Sequence, residues 1–189
     1  MCGRYYFDVL RSKRLEKLHQ ELGDLGIDVK TGEVFPSDMT AVVRKNQHQI
    51  AIDGIKWGFE GFKPNQLIIN ARSESVINKQ LFKLPFLTNR CVFPMSGFYE
   101  WRRDKAKYLF TYPDDQLIFV GGFIRQYSDG PRSIIMTTAP NEAIRQVHNR
   151  MPVLVDERYI RNWLFDDDYA TNLLSEQMPN LVGQQVKSK

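Results

Sequence analysis

Leu15, Leu18 and Leu22 recur at the three- and four-residue intervals of an amphipathic helix, with polar residues between them, so the pattern predicts a helix over residues 9–22. Gly23 is expected to end it. From residue 49 the texture changes. The runs QIAIDGIKWGF, LIINAR, RCVF, GFYEW, KYLFTY, LIFVGGFI and RSIIMTT are rich in β-branched and aromatic residues and are punctuated by Gly, Pro, Asn and Asp. They predict strands through the middle of the chain. A helical pattern returns at 141–148, where Pro140 and Asn141 precede EAIRQVH, and again at 156–164 and 167–177, each opening on acidic residues. A block of strands with helices at both ends predicts an α+β fold rather than an alternating α/β one. The closing stretch LVGQQVKSK carries no such signal and reads as a frayed tail.

Polar residues interrupt the strand pattern at two informative places. The two-residue period of a strand puts Ile68, Asn70 and Arg72 on one face and Leu67, Ile69 and Ala71 on the other. An Asn is unusual in a strand because its side chain competes with the backbone ladder, whereas Arg72 taken alone suits a solvated outer face. In Gly97 to Trp101, Phe98 and Glu100 share a face, and Tyr99 and Trp101 share the opposite one. A carboxylate among aromatics has its pKa raised by desolvation unless a cation or N–H donors compensate, so Glu100 reads equally as a proton shuttle or as an ion pair at a strand end. His148 closes the 141–148 helix ahead of Pro152, which suits either a charged helix cap or a general acid or base. His19 and His48 read as surface residues, and Ser96 as a turn serine.

Composition narrows the class. A chain of 189 residues with 42% apolar and 12% aromatic content suits one domain with a real core, taken as residues 1–189. No stretch approaches the roughly 20 apolar residues of a membrane span, and no secretory signal is visible, so a cytoplasmic protein is expected. With only Cys2 and Cys91, and three dispersed histidines, neither a disulfide scaffold nor a metal site of recognisable spacing is expected. The net charge of +4 and pI near 9.0 imply a modest attraction to polyanions. No P-loop, GxGxxG, HExxH or GxSxG motif is present.

Cys2 is the residue with the most distinctive latent chemistry. If Met1 is excised, Cys2 carries a free α-amine and a thiol on adjacent carbons, which together capture an aldehyde first as an imine and then as a thiazolidine. An α-amine pKa of about 7.7 to 8.0 leaves part of the amine unprotonated near neutrality. Read alone, Cys2 is more readily an ordinary second residue.

Six blocks taken in order change that balance: MCGRY at 1–5, WG at 57–58, NARSE at 70–74, RCVFPMSGFYEW at 90–101, TTAPN at 137–141 and HNRMPV at 148–153. Together they resemble the SRAP family, the SOS-response-associated peptidases. The resemblance implies a curved, mostly antiparallel sheet or barrel-like core flanked by helices, with a DNA cleft on its open side. It also implies a DNA-associated monomer without cofactor that binds single-stranded DNA at abasic sites and links its N-terminal Cys covalently to the opened deoxyribose aldehyde. By the same carry-over, Cys2 is the nucleophile, Asn70 orients its amine or the sugar oxygen, Glu100 moves protons, and His148 protonates the sugar-ring oxygen or assists reversal. Arg4, Arg72 and Arg150 are expected to hold flanking phosphates, and Pro36, Phe62 and Trp101 to pack against flanking bases.

The chain departs from the family pattern in two places. Relatives carry a Trp-rich loop after the WG dipeptide, where GFEGFKPNQ offers only Phe59 and Phe62. They also continue past the last helix with a strand-like segment that LVGQQVKSK does not clearly supply, so a loosened sheet or an open sheet edge is expected. Rival readings are a thiol autopeptidase, a hydrolase using Cys2 with His148 or Glu100, and a single-strand DNA-binding module without chemistry. Lyase-like strand scission through the imine belongs to the crosslinking reading.

Overall fold

The computed structural model describes residues 2–10, 12–114 and 116–187. Strand β1 (Tyr5–Phe7) is followed by helix α1 (Lys13–Asp24). The Ser12 hydroxyl starts the helix by accepting from the Leu15 N–H at 3.3 Å, satisfying a donor that the first turn leaves free. The helix runs on through Gly23. It stops at Gly26, whose φ of +74° is open to a residue without a Cβ, and there Gly26 N–H bonds Gly23 O and Ile27 N–H bonds Leu22 O, both at 2.9 Å. The expected span of 9–22 with a stop at Gly23 is thereby corrected at both ends.

Next come β2 (Gly32–Val34), β3 (Met39–Asn46) and β4 (Gln49–Trp57). Then follow β5 (Phe59–Glu60), β6 (Leu67–Ile68) and β7 (Asn70–Arg72). Gly58, at φ +112°, lets the chain turn between β4 and β5 while Trp57 stays buried, and the Trp57 indole N–H donates to Ile69 O at 3.1 Å. That close approach accounts for the WG dipeptide. Helix α2 (Gln80–Thr88) was not foreseen, because Pro85 inside KLPFL reads as a breaker. Strands β8 (Arg90–Met95), β9 (Gly97–Trp101), β10 (Lys107–Thr111), β11 (Ile118–Tyr127) and β12 (Gly130–Thr138) match the runs read from sequence, with ends shifted by a few residues. The remaining elements are α3 (Glu142–Arg145), β13 (Met151–Pro152), α4 (Ile160–Phe165), α5 (Asp167–Leu173) and β14 (Val182–Val186).

Among the described residues two main sheets form. In one, β11, β8, β3, β4 and β12 pair in that order, and β12 pairs back to β11, which closes a barrel. The pairs are antiparallel except β12 with β4. Past the barrel, β12 also pairs in parallel with β7 and antiparallel with β13. The second sheet is open, in the order β14-β10-β9-β1-β2, with antiparallel pairs. The expected α+β class with a mostly antiparallel, barrel-like core describes this arrangement. The expected lack of a C-terminal strand does not: Val182–Val186 pairs residue for residue with Thr111–Lys107, because β10 offers it an unpaired edge. A sequence so polar shows no strand signal of its own; the backbone ladder supplies the partner.

The sheets meet through aromatic packing, as where Tyr5 of the open sheet lies 5.5 Å from Trp57 of the barrel. Phe82 and Phe86 of α2 pack on Phe123 of β11, and Phe86 meets Trp163 of α4 at 6.0 Å. Arg90 is buried beneath them. Its guanidinium donates to the carbonyls of Trp163, Phe86 and Leu87 and to Asp167, which satisfies a charge that would otherwise be costly to bury.

Barrel closure leaves no room beside β11. A Cβ on Gly122 would stand 2.3 Å from the Ile134 carbonyl oxygen of β12, a backbone atom that cannot swing away. Gly122→Ala should therefore destabilise the fold by about 1–3 kcal/mol, whereas Gly23→Ala, inside α1 with nothing within 4 Å, should stabilise it by about 0.5–1 kcal/mol. Urea midpoints of the two variants test this; an unchanged midpoint for Gly122→Ala would mean that the β11–β12 pair can spread.

Candidate functional site

The chain enters beside β9. The Tyr99 N–H donates to Arg4 O at 2.9 Å, and the next pair in the ladder is Tyr5 with Phe98. This leaves Cys2, fully buried, at the junction of the open sheet and β7. The Asn70 side-chain amide donates to Cys2 O at 3.1 Å. Asn70 is itself fixed by register, since β7 lies against β12 with Asn70 opposite Ile135. Its Oδ1 is buried without a hydrogen-bond partner among the described residues. A buried acceptor left unmatched costs roughly 1–3 kcal/mol, which suits a group that awaits a donor from a bound molecule.

Alternation along β9 turns Glu100 inward with Phe98, and Glu100 is 1% exposed. Burial pushes its carboxyl up to about 7. The His148 Nδ1 lies 3.9 Å from Glu100 Oε2. Burial, and the nearby Arg150 charge, hold the His148 imidazole below its ordinary value, which favours the neutral ring; its Nδ1 lies 3.1 Å from Arg150 N and 3.3 Å from Arg150 O. The Cys2 thiol is pushed well above its ordinary range by burial and by the neighbouring Glu100 charge. The result is a buried, protonated thiol and a buried carboxyl that is both acid and base near neutrality, beside a half-buried neutral imidazole.

Two surface cavities flank this cluster. One, of ≈ 890 Å³, is lined by Ile68, Asn70 and Arg72 from the face predicted for β7, together with Phe62, Lys79, Gln80, Leu81, Phe82 and Arg125. The other, of ≈ 730 Å³, is lined by Trp101, Arg102, Arg103, Asp104, Arg145, Gln146, Val147, His148 and Asn149. The charged side chains of the walls are mainly basic, Arg72, Lys79 and Arg125 in the first and Arg103, Arg145 and the Asp104-paired Arg102 in the second, which favours a polyanion at either cavity. Lys79, Arg125, Arg103 and Arg145 were missed in the sequence. No local pattern marks them, because α2, β11, the loop after β9 and α3 converge only in the fold.

Cys2, Asn70, Glu100 and His148 are thus brought together, while the expected DNA contacts fall in several situations. Arg72 is exposed in the first cavity and Trp101 is half-buried in the second. Phe62 stands 88% exposed on the loop between β5 and β6 at the rim of the first. Pro36 is half-buried ahead of β3 and lines neither cavity. Arg150 is largely committed within the protein: it pairs with Glu74, whose carboxyl it holds down to about 2, and donates to Thr137 O at 2.6 Å. Arg4 is bound to Glu33 at 3.1 Å. No group of three or more His, Cys, Asp or Glu able to hold a metal occurs among the described residues. No helix among them is long and apolar enough to cross a membrane.

Burial of Glu100 has a cost that pH exposes. Its folded pKa lies above the unfolded one, so between about 4.5 and 7 the native state binds more protons and stability falls as pH rises. Glu100→Gln should therefore be more stable than the parent at pH 8, by on the order of 1–3 kcal/mol, with the difference shrinking as the pH approaches 4.5. Thermal unfolding across pH checks this, and a variant that is less stable at every pH would show that the ionised carboxylate is compensated in the fold.

Comparison with known proteins bears on the whole chain. Residues 1–189 match the sequence profile of the family described as SOS response associated peptidase (SRAP). Curated relatives include the abasic site processing protein YoqW of Bacillus subtilis, 25% identical over 92% of this chain and 86% of the relative. The abasic site processing protein YedK of Escherichia coli is 24% identical over 87% of this chain and 79% of its own length. Among solved structures, a protein from Bordetella bronchiseptica superposes with a TM-score of 0.78 at 20% identity, covering 99% of this chain and 100% of its own. A phage-related protein of the same organism gives a TM-score of 0.75 at 19% identity over 99% of this chain and 95% of the other, a likeness of fold. The chain belongs to the SOS response associated peptidase (SRAP) family.

Proposed function

We propose that this protein processes abasic sites in single-stranded DNA by forming a covalent adduct through Cys2. The observation that carries the reading is the convergence of buried Cys2 and Glu100 with half-buried Asn70 and His148, each of which lines one of two cavities whose charged side chains are mainly basic. The names of the curated relatives, abasic site processing proteins, point to the same substrate.

The chemistry follows from these groups and requires loss of Met1, which lies outside the described residues. The Cys2 amine adds to the C1′ aldehyde of the ring-opened deoxyribose. The carbinolamine oxygen leaves as water, and its proton comes from Glu100, whose carboxyl is part protonated near pH 7. The Cys2 thiol then adds across the imine, sulfur bonding to carbon and its proton passing to nitrogen, which closes a thiazolidine with no change of oxidation state. Asn70 Oδ1 is available to accept from the amine. His148, neutral beside Glu100, exchanges the proton of the sugar oxygen in ring opening and in reversal. The raised Cys2 thiol weighs against a peptidase that needs a thiolate, whereas the imine route begins at the amine.

The direct test is incubation of the processed protein with a single strand carrying one abasic site. A denaturation-resistant adduct is expected, and Cys2→Ser should lose it while leaving an imine that borohydride traps, because a hydroxyl closes the five-membered ring less effectively than sulfur. Peptide cleavage with no adduct, or reversible binding alone, would replace the reading by one of its rivals. A stable adduct from Cys2→Ser would rule out the thiazolidine.

The two proton-transfer groups should fail differently. Glu100→Gln is expected to slow adduct formation by roughly 10²- to 10⁴-fold with little change in DNA affinity, and to remove the bend near pH 7 from the parent's rate profile. His148→Ala should slow formation less and chiefly impair release onto a competing abasic strand. Time courses of both steps measure this; parental kinetics in Glu100→Gln would take Glu100 out of the mechanism.

A further inference from the structure

The outer face of the open sheet carries an ion network that the reaction cluster does not use. Residues directly opposite in a ladder share a face, so Arg4 beside Tyr99, Tyr6 beside Glu33, and Trp101 beside Lys107 all stand on the side away from Glu100. There Lys107 Nζ donates to Glu33 Oε1 at 2.7 Å, and Arg4 Nη1 donates to Glu33 Oε2 at 3.1 Å. The Lys107 side chain is 7% exposed and its ammonium lies 3.9 Å from the Tyr99 ring centroid. A buried ammonium is costly without its counter-ion, so Lys107 ties Glu33 in place. Burial opposes ionisation of Glu33, but Lys107 and Arg4 outweigh it and hold its carboxyl below the usual range.

The second oxygen of Glu33 sets where Arg4 points. The Arg4 guanidinium carbon lies 4.3 Å from the Phe35 ring centroid and 5.0 Å from that of Trp101, within the range of a cation over an aromatic face. Trp101 is half-buried, follows Glu100 in the chain and lines the cavity that holds His148. A single chain of contacts therefore runs from Lys107 through Glu33 and Arg4 to Trp101. Arg4, its partly exposed cation, shares the single Glu33 carboxylate with Lys107 and is directed by it toward the rings.

We propose that Glu33 is a positioning residue: pinned by Lys107, it holds the Arg4 guanidinium against Phe35 and Trp101, which fixes Trp101 as the wall on which a nucleobase beside the lesion stacks and withdraws Arg4 from phosphate binding. This rests on single-stranded DNA as the ligand and replaces the expectation that Arg4 grips a phosphate.

Salt dependence separates the two roles of Arg4, because each phosphate contact adds about −0.7 to the log–log slope for a single strand, whereas stacking adds nothing. Affinity is measured on an intact single strand, and the adduct rate constant on a saturating abasic strand. Arg4→Gln should leave the parental slope unchanged. Glu33→Gln with Lys107→Gln removes the buried ammonium and its counter-ion together, which preserves net charge and leaves no orphaned ammonium, and its urea midpoint verifies folding. In that double variant the released Arg4 should steepen the slope by about 0.7. The adduct rate constant should fall about tenfold through misplacement of the wall. Adding Arg4→Gln should return the slope to the parental value. A slope flattened by about 0.7 in Arg4→Gln alone would overturn the proposal, as would parental slope and rate in the double variant. If the parent binds DNA yet forms no adduct, the crosslinking reading fails while the slopes still decide the role of Glu33.

Discussion

Strand β12 is the constraint on which the rest depends. Gly130 to Ile135 closes the barrel against β11, Arg132 and Ser133 meet β4, Ile135 to Thr137 carries β7, and Thr137 and Thr138 carry β13. One strand thus holds both the segment that bears Asn70 and Arg72 and the segment that follows His148 and Arg150. Because the backbone groups of a buried strand must be paired, none of these pieces can drift without breaking a ladder. The Arg150 guanidinium, bonded to Thr137 O and to Glu74, ties the His148 loop to that strand and to the turn after β7.

The reactive groups are placed where folding alone would not choose to put them. A carboxyl and a thiol buried near one another are each driven toward the neutral form, and for Glu100 this brings the carboxyl to about 7, which suits the proposed proton transfers. Stability is given up for that tuning. An unmatched buried acceptor on Asn70 adds to the same cost. Such departures from a satisfied interior mark a site built for a ligand's atoms rather than for the protein's own.

Strand β9 serves two faces. Inward, Phe98 and Glu100 meet the core and the reaction cluster; outward, Tyr99 and Trp101 meet the Lys107, Glu33 and Arg4 network. A slip of one residue would exchange the acid for an aromatic ring, so the proposed chemistry depends on the register with β1 and β10. The N-terminal segment is held from both sides of this arrangement, by Asn70 at Cys2 O and by Tyr99 at Arg4 O.

The local alternation of polar and apolar residues was sufficient to place Asn70 with Arg72 and Glu100 with Phe98, because a strand's two faces follow from its backbone whatever it packs against. Strand runs from β8 to β12, the α+β class and the six ordered motif blocks were likewise legible in the sequence. Other features were not. Helix α2 hid behind Pro85, β3 lacked alternation because its middle is buried on both sides, and β14 is polar and became a strand only because β10 presented an edge. The distance between Glu100 and His148, the pairing of Arg4 with Glu33 across 29 positions, and the basic cavities around Lys79, Arg125 and Arg145 are likewise tertiary facts. Periodicity records which way a side chain points from its own backbone; which partners it meets, and how far water is excluded around it, is decided by the barrel that brings distant strands together.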